Sequence, residues 1–260
     1  MANLNTISLE DFTSLVRLEW LEGPRMVGKA AQQLYIVEDL TGETGGTKRY
    51  TEIDTEEFAG VMEEGEDAPI AQVQQGYTIT AQERRFGKEI TITWKMRRYS
   101  RYPEVTARLT SLSHFCPHRM EIDLTHRFSF HTATSYTDMD GQTVNTVVGD
   151  GLALASASHT LAGSATTFSN ICTGNPSFSR GGLEIAEAQG NTQILSHLGE
   201  RRVMNFNTII TGDDPTTVNN VKQFLESVAD VDQNNPGVVN VYKGKYRHVI
   251  LPRMATTASG

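Results

Sequence analysis

The sequence predicts an α+β fold, and three observations carry that reading. Apolar and polar residues alternate with period two in QVQQGYTITAQERRFGKEITITW, over Tyr77 to Ala81 and again over Glu89 to Trp94. Val105, Leu109, Leu112, Cys116, Met120, Leu124 and Phe128 step by three or four, the spacing of one apolar helix face. Near the end, Val203 to Ile210 reads as a strand, Asp214-Pro215 as a helix start and Tyr246 to Leu251 as another strand. With 260 residues, 38% of them hydrophobic, the chain makes one large domain or two small ones around a buried core, and a disordered chain is excluded.

In chain order, Ser8 followed by Asp11 resembles a capping signal, and Phe12, Leu15, Val16 and Leu18 recur at near-helical spacing, so a short helix is expected within residues 1 to 37. The glycine-rich TGETGG follows. From Glu52 to Asp67 there are eight acidic residues and no Lys or Arg, a segment that cannot bury itself and should project into solvent. The two alternating runs after Gln72 predict an extended β-ribbon. Pro103 suits the first turn of the next helix, which would run ~35 Å if unbroken. Pro117 lies inside it and predicts a kink or a break. From Phe130 to Gly182 the chain is rich in Thr, Ser and Gly, with apolar pieces at Val144 to Val148 and Leu152 to Ala157, which predicts short strands and loops. A helix is expected over Leu183 to Gln189. Val218, Val221, Phe224, Leu225 and Val228 give the helix after Asp214 an apolar face, DVDQNNPG reads as a turn, and the last strand stops at Pro252.

Charge is segregated along the chain. Lys and Arg total 23 against 31 Asp and Glu, a net charge of -8 that opposes electrostatic coating of nucleic acid. Yet Arg84, Arg85, Lys88, Lys95, Arg97, Arg98, Arg101 and Arg108 crowd one stretch, interleaved with Phe86, Trp94, Tyr99 and Tyr102. Three readings stand: a nucleic-acid site with stacking aromatics, a solvated ribbon face, or an acidic loop of one copy meeting the basic ribbon of the next. Cys116 and Cys172 are too few for a disulfide framework and match no metal knuckle, which points to a reducing compartment. The N-terminus has no basic segment followed by an apolar run, and no stretch approaches the ~18 apolar residues of a membrane span. A protein made and kept in a cytoplasm is expected.

Sites for chemistry are sparse. There is no phosphate-binding glycine loop, paired CxxC or HExxH motif. His114 and His118 have metal-ligand spacing with Cys116 between them, but Pro117 distorts that turn, and partly exposed helix histidines are expected instead. Ser156, Ser158 and His159, with Asp138, Asp140 and Asp150 upstream, offer the residue types of a hydrolytic triad without a GxSxG elbow. The plainer reading is a Ser/Thr-rich turn whose hydroxyls satisfy the backbone. No cofactor, metal or catalytic residue is expected. Asn234-Asn235-Pro236-Gly237 reads as an exposed turn or a contact around a symmetry axis.

Three passages resemble a family. YTITAQERRFGKEITITWKMRRYSRYP is similar to the transition from extended loop into spine helix of tailed-bacteriophage major capsid proteins of the Hong Kong 97-type fold, most closely the Mu-like head subunits. DGLALASASHTLAGSATTFSNI resembles the passage after that helix. MNFNTIITGDDPTTVNNVKQFLESV with YKGKYRHVILPRM resembles the terminal strand, helix and strand. The resemblance spans roughly residues 8 to 252 in soft patterns.

It implies an N-terminal arm over 1–37, an extended loop over 38–99, a peripheral domain with the spine helix over 100–200 and an axial domain over 201–260. By implication the chain is a non-catalytic homo-oligomer of hexamers and pentamers. It would enclose double-stranded DNA in a virion capsid assembled in a bacterial cytoplasm, with scaffold, portal and decoration proteins as further partners and no membrane. Inter-subunit contacts are then expected at Glu56, Glu57, Glu63, Glu64, Arg84, Arg85, Lys88, Arg97, Arg98, Asn234 and Asn235. Members of the family continue past the last axial strand, so a chain cut short at Gly260 is implied. Readings kept beside this one are an encapsulin-like compartment shell, a hydrolase and a nucleic-acid-binding module.

Overall fold

A helix of 28 residues, α1 (Tyr102–Ser129), is the longest element, and it runs through Pro117 without a break. The expected break is therefore not present, although Pro117 withholds one N–H from the helical ladder. The computed structural model describes residues 29–40, 46–54, 61–65, 67, 70, 74–95, 102–163, 166–174, 176–195, 201, 204–229 and 239–255. The helix expected near Ser8 and the turn at 230–237 lie outside them.

The chain divides into two compact units, one of residues 1–37 and 84–125, the other of 38–83 and 126–260. In the first, the buried face of α1 carries Val105, Leu109, Ser113, Glu121, Ile122 and Thr125. That face is rotated from the apolar stripe read in the sequence: Met120 is largely exposed, while the Glu121 carboxylate turns inward and accepts the Ala31 N–H at 2.6 Å. Ala31 opens a single 3-10 turn, Ala31–Leu34, and the Tyr35 hydroxyl donates to the Leu124 carbonyl at 2.8 Å.

Residues 83–93 form no strand, contrary to the alternation at Glu89 to Trp94. Arg84, Phe86 and Lys88 of this stretch lie against α1 side chains instead. The Arg84 and Arg119 guanidinium groups lie 5.2 and 5.3 Å from the Phe86 ring centre, and both pair with Asp123. Arg108 donates to the Thr91 carbonyl at 3.2 Å, so a side chain takes the place of a ladder partner.

The second unit is built of two-stranded pieces and two helices. β1 (Thr47–Asp54) and β2 (Gln74–Gln82) form an antiparallel ribbon, with Tyr50 opposite Ile79 and an irregularity between Thr51 and Ile53. Of the two runs expected to form a ribbon, Tyr77 to Ala81 lies in β2, but its partner is the upstream Thr47–Asp54 and not Glu89 to Trp94. β3 (Ser135–Thr137) and β4 (Thr143–Asn145) form a hairpin whose turn is held by Asp138, accepting from the Asp140 and Gln142 N–H groups. β5 (His159–Thr160) pairs with β6 (Thr167–Phe168). α2 (Arg180–Gln193) is capped by Ser179, which accepts from the Gly182 N–H.

β7 (Thr208–Gly212) and β8 (Arg247–Leu251) are parallel neighbours, and α3 (Pro215–Glu226) lies between them in sequence. Asp214 caps α3 by accepting from the Thr217 N–H at 2.8 Å, and Pro215 occupies the first turn, where no N–H is required. Val221, Phe224 and Leu225 of α3 join Tyr242 and Tyr246 in a buried core flanked by Phe178, Leu183 and Ile209. Helices and small sheets thus mix as the α+β reading expects. Val228 is the exception on the predicted α3 face: it lies past the helix end and is exposed.

Candidate functional site

Two places gather residues of functional interest, the ribbon with its surroundings and a buried histidine–aspartate pair. On the ribbon, Ile53 is 64% exposed, and Tyr50 and Ile79, at 44% and 41%, border the recess between the ribbon and residues 148–150. Between the strands, Val61 is 98% and Ile70 90% exposed, with Glu63 and Glu64 in the same exposed run. At the ribbon base, Lys48 and Tyr50 each reach the Glu38 carboxylate at 2.7 Å. The hydrogen bond from Lys48, then that from Tyr50, holds the Glu38 carboxyl below its ordinary value.

The predicted contact residues divide as follows. Glu63 and Glu64 belong to the second unit, and Arg84, Arg85 and Lys88, all exposed, to the first. Arg84 is engaged with Asp123 and Phe86, and the Lys88 ammonium lies 5.9 Å from the centre of Phe115. Glu56, Glu57, Arg97, Arg98, Asn234 and Asn235 lie outside the described residues.

His159 and Asp150 form the pair. The His159 Nδ1 lies 2.6 Å from the Asp150 Oδ2, and both side chains are almost fully buried. Burial works against the Asp150 carboxylate, but the hydrogen bond from His159 and the N–H groups of Leu152 and Thr160 outweigh it and hold the carboxyl below its ordinary value. The imidazole stacks on Phe168 with centres 5.5 Å apart. Of the hydrolytic set, only this pair comes together. The Ser156 hydroxyl accepts from the Ser158 N–H, Ser158 is exposed, Asp138 holds the β3–β4 turn, and the His159 Nε2 is buried without a hydrogen-bond partner. Among the described residues no serine hydroxyl bonds the imidazole.

Tyr77 and Gly149 were not singled out by sequence reasoning, yet they join β2 to this pair. The Tyr77 hydroxyl lies 2.8 Å from the Thr160 hydroxyl, and a Cβ on Gly149 would stand 2.7 Å from the Tyr77 Cβ. An open recess of about 450 Å³ lies between the ribbon face and residues 148–150 and 159–161. A second cavity, about 630 Å³, borders α2 and β7. Its polar wall is already satisfied: Gln189 accepts from Thr173 and donates to the Ser169 and Ile171 carbonyls, and Glu187 accepts from Lys245. Among the described residues no three His, Cys, Asp or Glu side chains gather as metal ligands, and no helix is long and apolar enough to cross a membrane.

No family model, curated protein or solved structure matches this chain. The geometry therefore stands alone: a solvent-exposed ribbon anchored through Tyr77 to a buried carboxylate–imidazole pair, and a separate row of cations laid over Phe86 and Phe115.

Proposed function

We propose that the chain is the major subunit of an icosahedral shell, assembling with copies of itself into hexamers and pentamers around double-stranded DNA, as the tailed-phage head proteins it resembles do. The observation that carries this reading is the β1–β2 ribbon, which leaves Ile53 64% exposed and Tyr50 and Ile79 partly so. A two-stranded ribbon is marginal in water by itself, and burying an Ile side chain against a neighbour contributes about 1.5–3 kcal/mol. The ribbon is thus an element that gains its stability from a second copy.

Charge supports the same reading. The exposed run at 61–65 carries Val61, Met62, Glu63 and Glu64, apolar and acidic together. The surface of Arg84, Phe86, Lys88 and Phe115 offers aromatic faces flanked by cations. An acidic, apolar segment of one copy and a basic, aromatic surface of another are complementary, which fixes orientation more than it adds affinity. A net charge of -8 suits an inner wall that contains DNA without gripping it. In this role the protein performs no catalysis.

Negative-stain electron microscopy with light scattering on the purified chain tests the proposal. Closed shells or capsomer rings are expected, and a chain that stays monomeric at high concentration overturns it. Replacing Arg84, Arg85, Arg97 and Arg98 by Gln should impair assembly while leaving far-UV circular dichroism unchanged; normal shells from that variant would remove the charge-docking part.

A further inference from the structure

Between Thr51 and Ile53 the ribbon loses its register. Thr51 pairs with Thr78 and Ile53 with Gln75, so the single residue Glu52 faces both Gly76 and Tyr77. The irregularity divides the ladder into a base arm, Thr47–Thr51 with Thr78–Gln82, and a shorter tip arm, Ile53–Asp54 with Gln74–Gln75. Such a bulge breaks pairing locally and lets the strand bend. At this point side chain and backbone nearly touch: a Cβ on Gly76 would stand 2.6 Å from the Glu52 Oε2, so the glycine is what allows the approach. The Glu52 carboxylate also lies 3.4 Å from the Tyr77 N–H, a long contact in place of a ladder bond.

The same residue, Tyr77, rests on the body of its unit. Its Cβ lies against Gly149, and its hydroxyl meets that of Thr160. The Thr160 N–H donates to the Asp150 Oδ2 at 3.3 Å, the oxygen that also meets the His159 Nδ1. The Asp150 Oδ1 accepts from the Leu152 N–H at 3.0 Å, and His159 is backed by Phe168. A bend point in the ribbon therefore coincides with its seat, and the seat is braced from behind by a buried, hydrogen-bonded pair.

We infer that the ribbon is hinged at Glu52 and Gly76–Tyr77, and that the Asp150–His159 pair is a positioning device that sets the hinge angle through Thr160. This deepens the assembly reading, because a contact element must be presented at one angle to fit the next copy. The pair needs no substrate for this task. It keeps residues 149–160 rigid enough for one tyrosine to define where the tip arm points.

Hydrogen exchange read by mass spectrometry, on the dispersed full chain at low concentration, tests the hinge apart from assembly. Tyr77→Phe removes the bond to Thr160 with little change in volume, and Asp150→Asn weakens the brace. Each should speed exchange in peptides covering 50–54 and 74–79 by roughly three- to tenfold, with α3 peptides unchanged. The double variant should be no faster than the faster single one, because both act on one chain of contacts. Unchanged exchange at the bend in Tyr77→Phe overturns the hinge. So does equal acceleration in α3, which would mark general destabilisation. Wild-type protein that never assembles overturns the shell reading instead, and the exchange data still decide the hinge.

Discussion

Gly149 shows how much a single missing methyl group governs. Because its Cβ position lies 2.7 Å from the Tyr77 Cβ, Gly149→Ala must push β2 or residues 148–150 aside. A loss of about 1–3 kcal/mol is expected, read as a lower urea midpoint at unchanged m-value. His248 governs a pH response. Burial first, and the Lys222 charge second, depress its pKa below the ordinary 6.5, while its Nε2 sits 2.8 Å from the Thr211 hydroxyl. The unfolded chain then binds this proton more readily than the folded one. His248 should therefore cost nothing above about pH 6.5 and should lower stability as pH falls below it, until the folded histidine protonates too. Urea unfolding from pH 8 to pH 5 should show that decline, and His248→Gln should flatten it. The pairing of His159 with Asp150 was legible only as a choice among three aspartates, since which carboxylate reaches the ring depends on how the eight residues of irregular chain between them close.

At the scale of elements, the capped helices were the most legible. Asp214-Pro215 announces α3, and Asp214→Ala should lower the midpoint of thermal or urea melts through loss of the bond to Thr217. An unchanged midpoint would mean the cap contributes nothing. The ribbon was legible in part, for a physical reason. No side chain from Thr47 to Ile53 is buried, and TKRYTEID lacks the alternation by which a half-buried strand is recognised. EITITW has that alternation and still forms no strand, because its neighbours Arg84, Phe86 and Lys88 dock on α1. The α1 face was misplaced by a similar override: Ser113 and Thr125 are buried with their hydroxyls bonded to carbonyls of their own helix, Thr110 and Glu121, while the Glu121 carboxylate is buried against the distant Ala31 N–H. Polar residues satisfied within their own helix leave no hydrophobic signal.

For the whole molecule, segregation of charge is visible in the bare sequence, while the proposed meeting of acidic and basic surfaces would be decided between copies. If acidic and basic segments align neighbouring copies, raising salt from 0.15 M to 1 M should slow assembly by shortening the screening length from about 8 to 3 Å. The exposed apolar residues would still favour the finished contact. Light scattering after dilution into each buffer reads both effects. A rate insensitive to salt would assign orientation to shape alone.

The parallel pairing of β7 with β8 also imposes an order on biosynthesis. Thr208 finds its partner only in Arg247, 39 residues later. At roughly 5–20 residues per second a ribosome needs about 2–8 s to cover that interval. Within it, from completion of α3 at Glu226 until Tyr242 is made, the apolar face of α3 has neither Tyr242 nor Tyr246 to pack against. The nascent chain therefore carries the β1–β2 ribbon out of the ribosome before Tyr242 and Tyr246 can complete the α3 core, and this interval is when a chaperone would have the most to cover.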